Sequence, residues 1–203
     1  MNVECGNNAM SAANQQERLG AEWIVGFVDG EGCFHVAFNR QPNMTVGWQV
    51  LPEFRVVQHQ RDEQILVRMQ QFFGCGTVTR NNGDRKELRV RGMENLGRVV
   101  DFFTSQPLQS KKQHDFERFA MILKAMRRGD HLEKTGLREI ARIALEMNRR
   151  ENSNASRILR DFTPDPETRE DKVRTSWRHE EVARDRGPPL HATSVEMVMK
   201  ATD

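Results

Sequence analysis

Two acids, Asp29 and Glu31, stand among glycines at the end of the stretch Trp23-Ile-Val-Gly-Phe-Val-Asp-Gly-Glu-Gly32. Read as a helix, the stretch carries Trp23, Ile24, Phe27 and Val28 at a spacing that fits one buried face. Gly30 and Gly32 then end it. The helix dipole opposes carboxylates at a C-terminus, so acids placed there are locally unfavourable and point to a bound cation. Gly26 and Gly30 lie one turn apart, so both missing Cβ atoms fall on the same side. An interior glycine weakens a helix by about 1 kcal/mol relative to alanine. Close approach of a second helix is a reason to keep both. On its own, the stretch also fits an amphipathic helix with an acidic end, and the rest of the chain must decide.

A second group able to do chemistry follows in Pro107-Leu-Gln-Ser-Lys-Lys-Gln-His-Asp-Phe116. Lysines are unfavourable near a helix N-terminus, which argues that Lys111 and Lys112 serve an external anion. A basic turn on the surface is the plainer alternative for either one.

These groups need elements to hold them. After Gly32, Phe34, Val36 and Phe38 alternate with His35, Ala37 and Asn39 as in a half-buried strand. A second alternation has Trp48, Val50, Phe54 and Val56 on one face, with Gln49, Leu51, Glu53, Arg55 and Val57 on the other. Pro52 falls inside it, and proline cannot donate to a ladder and prefers a sheet edge. Asp62 opens a helix with Ile65, Leu66, Met69, Phe72 and Phe73 as its core face, and Gly74 stops it. Thr77-Val-Thr-Arg and Leu88-Arg-Val-Arg flank Asn81-Asn-Gly-Asp84, a hairpin signal. Another short helix is expected from Met93 to Phe103, then one through Phe116, Phe119, Ala120, Ile122 and Leu123. A last helix carries Leu137, Ile140, Ala141, Ile143, Ala144 and Met147.

The order helix, strand, strand, helix, strand, strand, helix predicts an α+β fold. The sheet is expected to be antiparallel, with helices on one face. Its open face would carry His35, Asn39, Gln41, Gln49, Arg55, Thr79, Asn81, Arg89 and Arg91. Such side chains read base edges and phosphates, although ordinary solvation also makes a sheet face polar.

Composition sets bounds. A length of 203 residues allows one ordinary domain plus tails. The formal charge of +2 is too small to identify a nucleic-acid partner. Cys5, Cys33 and Cys75 are odd in number and show no Cys-x-x-Cys spacing, which fits reduced thiols in an intracellular protein. No apolar run approaches a membrane span, and residues 1–17 lack the apolar core of a signal peptide. That leader is expected to be a mobile tail. The domain proper is expected over 18–150. The charged segment 151–203, with Pro164, Pro166, Pro188 and Pro189, is expected to be irregular. His179, Glu180 and Glu181 receive no role, because adjacent residues on one element point apart.

Ile24-Val25-Gly26-Phe27-Val28-Asp29-Gly30-Glu31-Gly32 resembles the signature of the LAGLIDADG homing endonucleases. The resemblance covers about residues 20–150 in outline. It implies the family's fold, with a saddle-shaped antiparallel sheet lying in the DNA major groove. It also implies that two motif helices pack together and that the acid at the position of Glu31 binds catalytic divalent metal, with the backbone carbonyl near Gly30 as a further ligand. The metal would be Mg²⁺. Phe54-Arg-Val-Val-Gln58 is similar to the family's second-strand ending, which makes Gln58 the candidate for orienting water. The segment around Lys111 and Lys112 is similar to one in which a lysine approaches the scissile phosphates, and its register stays open between the two. Glutamate replaces the family's commoner aspartate, and its longer reach bears on metal position.

The sequence contains one motif of this kind, and a two-metal phosphodiester cleavage needs carboxylates from two sides. A homodimer joined through Gly26 and Gly30 supplies Glu31 twice and implies a pseudo-palindromic duplex DNA target. The expected function is a site-specific, metal-dependent double-strand break, as in intron-encoded endonucleases. The resemblance also admits a maturase that binds its intron RNA, or a DNA-binding protein without catalysis. It leaves an organelle (chloroplast or mitochondrion) and a bacterial cytoplasm equally open, and no membrane is expected.

Overall fold

Helix α1 (Ala21–Glu31) runs without a loop into strand β1 (Gly32–Arg40) in the computed structural model, which describes residues 19–147 and 152–162. The junction depends on Gly32. A Cβ there would lie 2.5 Å from Val28 Cγ1 and 2.9 Å from the Val28 carbonyl oxygen. Its backbone is extended, with φ at −74°, so glycine is needed here for space and not for a left-handed turn. Strand β2 (Trp48–His59) follows, then α2 (Glu63–Phe73), β3 (Thr77–Arg80), β4 (Arg85–Val90) and α3 (Met93–Ser105). Helices α4 (Lys112–Arg127), α5 (Lys134–Leu145) and α6 (Ser153–Asp161) complete the described residues. The order from α1 to α3 is the expected one.

All three strand pairings are antiparallel and the order is β1-β2-β4-β3. Pro52 does not interrupt β2. It lies where β2 pairs with β1 but has run past Val90 of β4, so a missing N–H breaks no second ladder. Gly83, in the left-handed region with φ of +62°, closes the β3–β4 hairpin as its sequence demands.

One sheet face is apolar and the helices cover it. Phe34, Val36, Phe38, Trp48, Val50, Phe54, Val56, Leu88 and Val90 are all buried. Phe34 anchors the layer, with ring centroids 5.7 Å from Phe103, 5.4 Å from Phe116 and 5.4 Å from Phe119. Each such ring is worth about 1.5–3 kcal/mol on burial. Phe34 follows Gly32 by two residues, and Phe116 follows Lys112 by one helical turn. This contact therefore brings the start of α4 to the end of α1.

Two expectations are corrected. Helix α1 buries Ile24, Val25 and Val28, whereas Trp23 is 41% exposed and stacks on Phe27 with ring centroids 4.6 Å apart. The helix is apolar on two sides, and the core takes the side without glycine. The segment expected to be irregular begins with α6. Asn152 caps that helix through the Ala155 N–H, and Ala155 and Ile158 are buried. Asn152 and Asn154 also donate to the Val36 and Phe38 carbonyls, covering the free edge of β1. The expected leader, and everything from 163 onward, lie outside the described residues.

Candidate metal site and nucleic-acid interface

The end of α1 gathers three of the predicted groups, Gly30, Glu31 and Lys112. Glu31 is exposed, and its carboxylate forms no hydrogen bond or ion pair among the described residues. Lys112 reaches the same place from the start of α4. Its ammonium donates to the Val28 carbonyl at 2.8 Å and to the Gly30 carbonyl at 3.3 Å. Burial holds the Lys112 pKa below its ordinary value, against upward pulls from Cys33, Asp29, Glu31 and Asp115. The ammonium thus stands where carbonyl oxygens and acids converge, a place suited to a cation. Lys111, the residue before α4, is exposed and makes no hydrogen bond or ion pair with this cluster. Gln58 lies near the end of β2, two residues beyond Val56, which pairs with Gly32 at the start of β1. Its register partner Lys86 pairs with Glu63 of α2, which sets Gln58 on the helix-bearing side of the sheet.

Asp29 has a different task from its neighbour. Its carboxylate accepts from Gln109 N at 2.7 Å, Ser110 N at 3.2 Å and Ser110 Oγ at 2.7 Å. It therefore ties down the turn that leads into α4 and presents Lys112. The two acids of the motif separate into one structural group and one free group.

The surface of α1 away from the core is uncovered. Trp23, Gly26, Phe27 and Gly30 follow the helical period, and a Cβ at Gly26 or Gly30 would meet nothing within 4 Å. Among the described residues the Gly26 and Gly30 α-carbons face open space, while the Lys112 ammonium reaches the Gly30 carbonyl. No group of three or more His, Cys, Asp or Glu residues able to hold a metal exists among the described residues.

The open sheet face carries most of the predicted polar residues, with Gln41, Asn81 and Arg91 just beyond the strand ends, but its arginines are not free groups. The register sets His35 opposite Glu53, Asn39 opposite Gln49, Arg55 opposite Arg89, and Thr79 opposite Glu87. Glu53 and Glu87 are 6% and 2% exposed. Glu53 takes Arg55 Nε at 3.3 Å and two Arg91 nitrogens at 2.8 Å, and lies 3.8 Å from Arg89 Nε. Glu87 pairs with Arg89 and accepts from Asn81 Nδ2 at 3.3 Å. The expectation of independent, solvent-facing arginines is corrected for Arg55 and Arg89, since both are partly buried and engaged by buried carboxylates. Gln41, Asn39, Gln49 and Thr79 are exposed as expected. His35 is half-buried beside a hollow of about 550 Å³ that Arg55, Asn39, Asn152 and Asn154 also line.

Sequence reading missed the parts played by Asp29, Glu53 and Glu87. A signal for the last two existed. Glu53 with Arg55, and Glu87 with Arg89 and Arg91, recur at the two-residue strand period and so share a face.

A family model described as LAGLIDADG endonuclease matches residues 24–123. The crystal structure of the homing endonuclease I-TnaI is 50% identical at a TM-score of 0.69, covering 71% of this chain and 99% of that one. The LAGLIDADG homing endonuclease I-SmaMI, in a structure bound to cleaved DNA, is 27% identical at a TM-score of 0.68. That match covers 74% of this chain and 51% of the other. A Neurospora crassa protein described as probable intron-encoded endonuclease 3 is 29% identical over 129 residues, 62% of this chain and 24% of its own. The chain spans about a quarter of the length of the first curated relatives it matches.

Proposed function

The chain belongs to the LAGLIDADG endonucleases, and on that premise we propose that two copies pair through α1 and hydrolyse one phosphodiester in each strand of a duplex DNA. The observation that carries this is the meeting of Glu31, the Gly30 carbonyl and Lys112 at the end of a helix whose glycine strip is uncovered. Any one of these features has a structural explanation; together they make half of a symmetric site.

The donor set fits Mg²⁺. A free carboxylate and a backbone carbonyl are hard oxygen ligands, which that ion prefers. Among the described residues one chain offers a single such carboxylate here, and a second copy related by a two-fold axis through the Gly26–Gly30 strip brings the other. When bound, the ion supplies Lewis acidity and a water acidic enough to attack at neutral pH.

The remaining work falls to the chain's own groups. Glu31 and the Gly30 carbonyl hold the site in place. The Gln58 amide orients the attacking water. Lys112 offsets the negative charge that accumulates on the phosphate, and its half-buried setting strengthens that effect. The arginines and amides of the open sheet face bind base edges and phosphates. A two-fold protein reads a pseudo-palindromic target, so the same side chains are used in both half-sites. The match to a DNA-bound neighbour supports the choice of partner.

Selection for cleavage of a randomised duplex pool in Mg²⁺ tests the proposal. It predicts a single long, pseudo-palindromic consensus cut in both strands. A pool that is bound but never cut would refute the enzyme.

A further inference from the structure

Glu53 and Glu87 are the buried charged side chains of the described core, and they lie on the sheet face proposed to meet DNA. A carboxylate opposes binding on a surface that approaches phosphates. At 6% and 2% exposure neither can itself reach a base. Between them they hold Arg55, Arg89, Arg91 and Asn81, four of the candidate reading side chains, drawn from β2, β4 and the residue after it, and the hairpin turn.

We propose that Glu53 and Glu87 are specificity-determining positioning residues, which fix the three arginines and Asn81 in base-reading geometry and lower the affinity of the face for non-target DNA. The inference rests on the sheet being the DNA-reading surface. Geometry supports it in two ways. Glu53 engages Arg55 through Nε, and Arg89 and Arg91 each give Nη2 to an acid, so each guanidinium is fixed at one edge and keeps a terminal nitrogen for a base acceptor such as guanine O6 or N7. An arginine already ordered loses less rotamer freedom on binding, so the correct base gains relative to a flexible phosphate contact. Charge supports it as well. Three arginines over two carboxylates leave little net positive charge for indiscriminate attraction, and discrimination grows when wrong partners are penalised.

Substitution of either acid by its amide keeps the size and removes the charge. Wild type, Glu53→Gln and Glu87→Gln are each used to capture DNA from a randomised duplex pool in Ca²⁺. Affinities for the wild-type consensus and for a scrambled duplex are then measured by fluorescence anisotropy. Each amide variant should bind scrambled DNA several-fold tighter than wild type, and its ratio of specific to non-specific affinity should fall by roughly tenfold or more. Glu53→Gln should flatten the consensus at different positions from Glu87→Gln, because they hold different readers. Glu53→Asp keeps the charge and shortens the arm. It should leave scrambled-DNA affinity unchanged while still flattening the Glu53 positions, and it serves if the amide variant does not fold.

Folded variants whose consensus is as sharp as wild type would overturn the inference alone. A wild type that enriches no consensus would overturn the DNA reading, and the inference with it.

Discussion

The Lys112 ammonium lies 3.3 Å from the carbonyl oxygen of Gly30, reaching from the start of α4 to the end of α1. Neighbours in sequence are separated by this contact. Lys111 stands at the cap of α4 with an exposed side chain, while Lys112 is half-buried and turned toward Glu31. Lys112→Met should therefore cut the cleavage rate by about 10²–10³, the usual effect of removing a charge-stabilising donor. Lys111→Met should change it by less than about tenfold, as a distant exposed cation would. Rates in Mg²⁺ on one target decide the matter, and the reverse ranking would reassign the lysine.

Asp29 accepts three hydrogen bonds from the turn before α4. Asp29→Ala should lower stability by about 1–2 kcal/mol, the range of a lost cap. It should also slow cleavage, since that turn presents Lys112. Urea denaturation checks the first part. A variant as stable as wild type would mean that Asp29 is not the structural acid of the pair.

A Cβ at Gly26 meets nothing within 4 Å among the described residues, so the sign of a stability change reports on a second copy. In a solvent-facing helix, Gly26→Ala should stabilise by about 1 kcal/mol. With two α1 helices packed glycine to glycine, it should destabilise, and Gly26→Leu should give monomers by light scattering with the fold intact by circular dichroism. Cleavage should disappear with the dimer. A wild type that remains monomeric at micromolar concentration with DNA present would remove the paired site.

The order of elements was legible because periods of two and 3.6 residues alternate cleanly from Trp23 to Phe103. The motif helix was legible too, but its facing was not. Ile24, Val25 and Val28 on one side and Trp23 and Phe27 on the other are equally apolar, and only packing against β1 and β2 chooses between them. Lys111 and Lys112 were inseparable for a similar reason. Adjacent residues point about 100° apart on a helix, and the helix start fixes which one faces α1. Glu53 and Glu87 occupy strand positions where solvent-facing acids are common. Their burial follows from tertiary packing: Arg89 and Arg91 reach across from the β4 side to Glu53, while Glu87 is covered by Arg89 of its own strand and by Asn81. Helix α6 went unread because Ser153–Asp161 is mostly polar and needs α5 and β1 as its partners.

His35 gives the protein a pH signature. Burial first, and then the Arg55 guanidinium, hold its pKa below the usual 6.5, with Glu53 pulling upward. The unfolded chain therefore takes up this proton before the folded one as pH falls. The stability linked to neutral His35 is fully present above about 6.5 and is lost as pH drops through the lowered folded value. His35→Gln should flatten the melting temperature against pH over that window. Parallel profiles for variant and wild type would contradict it.

Glu31→Gln is the most direct test of the account. The substitution preserves volume and removes the charge that would hold Mg²⁺. Melting temperature should be unchanged or higher, because the lost carboxylate opposed the dipole of α1. Affinity for target DNA in Ca²⁺ should stay within about threefold of wild type, since the sheet makes the contacts. Cleavage in Mg²⁺ should fall below detection. A variant that folds, binds and cuts at the wild-type rate would contradict the proposed site.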